Sequence, residues 1–159
     1  MILKLEGHRD LPNATIEDVV RAVYALARPD GPTYLVLEDG EDSYAQAAGT
    51  DGRYVIESRT IFGEGFQHFR VARDLGGADA PAVIHYRQRC DKHPPRRCPL
   101  KVRESEVSTV ADVEQALLTF AATGRRDATL FWRDVTPEMV KDFTRRPDDD
   151  GEIGLITPG

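Results

Sequence analysis

Four short β-type runs in immediate succession constrain this chain more than any other feature. They are residues 33–39 (TYLVLED), 43–49 (SYAQAAG), 53–59 (RYVIESR) and 68–73 (HFRVAR). Gly- and Asp-rich breaks separate them, which is the pattern of an antiparallel meander. Leu35, Val36 and Leu37 are apolar in a row, so the first strand is expected to be covered on both faces. Tyr44, Gln46 and Ala48 share one face of the second. Ala45 and Ala47 share the other and are small enough for a helix to lie close above them. Phe69 and Val71 alternate with His68 and Arg70. A slip of one residue would invert each face, so the register should be firm wherever one face is buried.

Helical patterns flank the meander. Ile16, Val19, Val20, Val23 and Leu26 repeat at helical spacing, as do Val110, Val113, Leu117 and Phe120. Each series opens on Thr-x-x-Asp (Thr15 with Asp18, Thr109 with Asp112), a capping box with Asp in place of Glu. Gly124 stands where a C-cap glycine would. The echo between the two helix starts fits convergent capping chemistry or an αβ duplication, and both stay open. Ile2–Leu5, 82–86 and 128–133 read as further strands, and Thr136-Pro137 starts a short last helix. The expected fold is α+β: an antiparallel β-meander sheet flanked by two main helices, with a short C-terminal helix. A length of 159 residues implies one domain, placed at 1–145, followed by a flexible tail, 146–159.

Residues 87–103 break the composition. They hold seven basic residues and one acid, and Pro94-Pro95 argues against a helix or a central strand. An inserted, exposed basic loop is expected there. Next to it runs His85-x4-Cys90-x2-His93-x4-Cys98. Thiolates and imidazoles suit tetrahedral zinc, but there is no CxxC pair and the surrounding cations would repel the ion. His85, Cys90, His93 and Cys98 are therefore the candidate metal ligands of a segment read as unligated. Two cysteines are too few for a disulfide framework, so reduced thiols are expected, with a Cys90–Cys98 bridge as the oxidised alternative. No cofactor is implied.

Catalysis needs ionisable groups gathered in a cleft. Glu38, Glu57 and His68 lie in the meander, but nothing in the sequence unites them, and Glu57 and His68 read as solvent-facing residues of edge strands. No G-x-S-x-G elbow is present, and Gly63-Glu64-Gly65 reads as a turn. The net charge of −6 weighs against nucleic acid and favours a basic partner. No apolar run reaches the roughly 20 residues of a membrane span, and no secretory signal opens the chain, so a cytoplasmic location is expected.

The order helix, TYLVLED, SYAQAAG, RYVIESR, HFRVAR, helix, strand with Trp resembles the Imm1-type bacterial immunity family. Tyr44 with Gln46, Arg53-Tyr54-Val55 with Glu57, and His68-Phe69-Arg70 carry the resemblance, over residues 15–134. The basic Cys-containing segment departs from that pattern. The resemblance implies a non-catalytic protein-binding module that neutralises a cognate, basic toxin by covering it. Binding would then fall to the acidic turn and an exposed meander face: Glu38, Asp39, Glu41, Asp42, Tyr44, Gln46, Glu57, His68 and Arg70. The alternatives are a zinc- or thiol-dependent enzyme or sensor using Cys90 and Cys98, and a nucleic-acid accessory protein using the basic segment.

Overall fold

Both helix starts close as capping boxes. The computed structural model of the protein describes residues 1–40, 43–74, 79–90 and 93–144, with the backbone alone for 88–90, 93–96 and 141–144. Helix α1 spans Ile16–Leu26 and α2 spans Val110–Thr123. The Asp18 backbone N–H donates to Thr15 Oγ1 at 3.2 Å, and the Thr15 N–H donates to Asp18 Oδ2 at 2.9 Å. Thr109 and Asp112 repeat the exchange at 3.4 and 2.7 Å. These bonds satisfy donors that would otherwise be orphaned at the helix start. Held by the Thr15 backbone N–H and by Arg21, the Asp18 carboxyl titrates down at about 2. Gly124 ends α2 at φ 67°, a left-handed position that suits glycine.

The strands are β1 (Ile2–Leu5), β2 (Leu11–Pro12), β3 (Tyr34–Glu38), β4 (Tyr44–Thr50), β5 (Arg53–Phe62), β6 (Gly65–Val71), β7 (Pro81–Cys90), β8 (His93–Arg103) and β9 (Trp132–Asp134). A third helix, α3, covers Thr136–Thr144. Seven strands form one antiparallel sheet in the order β2-β1-β3-β4-β5-β6-β9. The α+β meander with flanking helices and a short last helix is thus what the chain forms. Between β4 and β5 the two-residue turn Asp51-Gly52 has both residues at positive φ, 56° and 76°. That geometry matches the strand twist, which is why Asp-Gly sits there.

The back of the sheet carries Leu35, Leu37, Ala45, Ala47, Tyr54 and Ile56, all buried. They share one core with Val19, Ala22, Val23 and Leu26 of α1 and Val113, Ala116, Leu117 and Phe120 of α2. Ala45 and Ala47 do lie beneath a helix, since α2 rests on β4.

The front differs from the sequence reading. Residues 87–103 are not a loop. They belong to a two-stranded antiparallel ribbon, β7–β8, which lies across β4 and β5. Ala82, Ile84 and Val102 of the ribbon pack on Val55 of the sheet. Pro94 and Pro95 are tolerated because the pairing register shifts between Gln88 and Cys90, opposite them. Among the described residues the ribbon also has no third strand whose ladder a missing N–H would break. Strand β9 is shorter than the expected 128–133. Asp127 takes the Thr129 backbone N–H at 2.8 Å and the Thr119 hydroxyl at 2.7 Å, and its carbonyl oxygen accepts the Trp132 indole N–H at 2.8 Å. This side-chain turn uses up residues that would otherwise extend the strand. The tail from 145 onward lies outside the described residues.

Candidate functional site: a buried polar row and its cover

Antiparallel pairing lines up one transverse row on the front of the sheet. Val36 stands opposite Gln46, Gln46 opposite Glu57, Glu57 opposite Arg70, and Arg70 opposite Arg133. Cross-strand neighbours on one face lie about 5 Å apart, so their side chains meet. Gln46 Nε2 donates to Glu57 Oε2 at 2.7 Å. Arg70 Nη2 and Nε donate to Glu57 Oε1 at 2.6 and 3.0 Å. Arg70 Nη1 reaches Glu106 Oε2 at 3.1 Å. Glu106 lies in the 3-10 turn, Glu104–Glu106, that follows β8. It also accepts from the Arg103 N–H at 2.9 Å and from Arg133 Nε at 2.8 Å. Arg133 continues to Glu138 on α3. Acid and base therefore alternate from Glu57 to Glu138 across five elements.

Burial sets the electrostatics. Glu57, Arg70 and Glu106 are all buried, with Glu106 1% exposed. Burial pushes the Glu57 carboxyl up, but Arg70 and His68 outweigh it and hold the group well below the usual carboxylate range. The Arg70 guanidinium loses hydration on burial, yet Glu57 and Glu106 raise its pKa. Each charge is paired and hydrogen-bonded, which is the condition under which buried ions persist.

His68 and Tyr44 border this row. His68 is 2% exposed, and its Nε2 has no hydrogen-bond partner. It stands 3.6 Å from Glu57 Oε2, beyond a normal bond. The Tyr44 ring meets it edge-on, with centroids 6.2 Å apart. Burial pushes the Tyr44 hydroxyl up to about 12, with the Glu57 charge adding to the effect. A Tyr–His–Glu grouping invites a catalytic interpretation. Here, however, Tyr44, Glu57 and His68 are all buried, so their side chains offer a substrate no exposed contact in this arrangement.

The expected exposed face is therefore corrected. Tyr44, Gln46, Glu57, His68 and Arg70 are brought together, but buried. Nor are Glu57 and His68 on edge strands, because β5 and β6 lie inside the sheet. Of the acidic turn, Asp39 is exposed, whereas Glu38 pairs with Lys4 at 2.7 Å. Glu41 and Asp42 lie outside the described residues. Glu106 and Arg133 escaped the sequence reading because neither stands in a motif. The available signal was parity: Gln46, Glu57 and Arg70 fall on one face once the meander is paired.

The proposed metal set also separates. Tyr86 is opposite Cys98 and His85 is opposite Pro99, so His85 and Cys98 project from opposite faces of the ribbon. Cys90 pairs with His93 at the ribbon end, four positions from Tyr86. That places Cys90 about 13 Å from Cys98 along the strand, too far for a disulfide. The side chains of Cys90 and His93 lie outside the described residues, and no cluster of three metal-binding side chains occurs among the described ones.

The ribbon is anchored at one point by a third buried carboxylate. Glu6 accepts the Thr33 N–H at 2.6 Å, the Thr33 hydroxyl at 2.9 Å and Arg87 Nε at 3.0 Å. The Arg87 backbone N–H donates to Thr33 Oγ1 at 2.6 Å, and its Nη2 reaches the Gly31 carbonyl oxygen at 2.5 Å. Together these bonds fasten β7 to the end of β3. No helix among the described residues is long and apolar enough to cross a membrane. No protein-family model matches the chain, and no curated protein matches it significantly.

Proposed function

We propose that the chain is a non-catalytic protein-binding module of immunity type, which neutralises a basic toxin by covering it. Charge distribution carries this reading. All but one of the 27 acidic residues lie outside 87–103, and the turn after β3 presents Asp39 to solvent. An acidic body of this kind speeds the capture of a basic partner. The ionisable groups most suggestive of chemistry are instead consumed in pairing one another inside the sheet. Binding would therefore use the acidic turn after β3 rather than the buried front face. Co-expression with a toxin encoded beside this chain should restore growth. Asp39→Lys should slow association, with the difference shrinking as salt rises. Failure of every adjacent reading frame to produce a toxin that this protein neutralises would remove the reading.

A further inference from the structure

Turns of the meander alternate between the two ends of the sheet, so the β3–β4 and β5–β6 turns share one end. There the β5–β6 hairpin runs past its neighbours. Pairing of β5 with β4 stops at Arg59, and pairing of β6 with β9 stops at Phe69. The two strands go on pairing with each other as far as Phe62↔Gly65, around the two-residue turn Gly63-Glu64. The residues beyond Arg59 make a finger about 10 Å long. The acidic turn flanks its base. The Ile61 N–H donates to Ser43 Oγ at 3.2 Å, and the Asp39 N–H donates to the Ser43 carbonyl oxygen at 3.1 Å.

This finger is apolar where a hairpin end is ordinarily polar. Ile61 and Phe66 form a half-buried cross-strand pair on the front, with Arg59 over the Phe66 ring at 4.3 Å. Phe62 stands on the opposite face and is 54% exposed. Its ring folds over Gly65, where an added Cβ would come within 3.3 Å of Phe62 Cε2. A ring held in place by its own hairpin loses little freedom on binding, which suits an exposed aromatic to serve as an anchor. Glu64 is the only charged residue between Thr60 and Gln67.

We propose that the finger holds the protein partner, with Phe62 seated in an apolar pocket bordered by basic side chains. The inference deepens the toxin-capture reading and rests on it. Charge selects the partner's chemistry. The apex carries an acid, and Asp39 in the turn beside it is exposed, so the complementary ground is basic. An anionic bilayer or a nucleic acid would meet Glu64 first and be repelled. Two fingers meeting tip to tip would set Glu64 against Glu64. The acids then govern the rate of capture, and the desolvated ring governs the rate of release.

The test is biolayer interferometry against the immobilised product of the adjacent toxin reading frame. Phe62→Ala should speed dissociation about 30-fold or more, the size of a hot spot, and leave association nearly unchanged. Phe62→Trp should keep release slow. Glu64→Lys should slow association instead, with the difference shrinking as salt rises. Melting curves separate these effects from misfolding. If Phe62→Ala holds a toxin that the chain neutralises as tightly as the wild type does, the anchor is overturned and the toxin-capture reading stands. If the wild type binds no adjacent product, both fall. Phe62-dependent binding to phosphatidylserine vesicles, or a Phe62-dependent dimer in sedimentation, would also overturn the proposal.

Discussion

The two faces of the sheet use alternate residues of the same strands, yet different physics holds them. On the back, Leu35, Leu37, Ala45, Ala47 and Ile56 meet two helices, and cohesion comes from apolar area and close packing. On the front, Gln46, Glu57 and Arg70 join Glu106 and Arg133 in an alternating ionic row, beside a small apolar patch under the ribbon. The back loses stability in proportion to the volume removed. The front is all-or-none, since removing one partner strands another charge in a low-dielectric site.

The largest expected effect follows from that difference. Arg70→Met leaves both Glu57 and Glu106 without their shared cation and should cost about 3–5 kcal/mol in urea unfolding. On the back, Leu35→Ala should cost about 3 kcal/mol by loss of burial and cavity formation. A smaller loss for Arg70→Met than for Leu35→Ala would mean that water reaches the row, and the contrast between faces would collapse.

Acid sharpens the comparison. Folding lowers the Glu57 pKa, so its contribution is fully present above its unfolded value near ~4.3 and drains away as pH falls through the lower folded value. The wild-type melting temperature should therefore drop steeply below about pH 4.3, and Arg70→Met should flatten that drop. Leu35→Ala should leave its shape unchanged. The smallest effect belongs to neither face. Thr109→Ala removes the side-chain half of a cap and should cost about 1 kcal/mol, additive with either substitution because the sites share no partner.

The helix starts, the meander, its Asp-Gly turn and the small-residue face of β4 were all legible in the sequence. Each rests on contacts within a few residues or between neighbouring strands. The ribbon was not legible. Its prolines read as loop chemistry, and its pairing is stabilised by burial against Val55, which stands at least 26 positions away in the chain. The candidate site was half legible. Gln46, Glu57, His68 and Arg70 were placed on one meander face through the resemblance, but that face was taken as exposed because nothing local announces a cover.

Sequence by itself determined which residues share a face, since side-chain alternation in a strand is a local geometric fact. Only the tertiary structure decided which faces meet water. That choice depends on where β7–β8 and the Glu104–Glu106 turn come to rest, and so on contacts between segments far apart in the chain. The same polar row would be a docking surface in the open and is an internal ion-pair network beneath the ribbon.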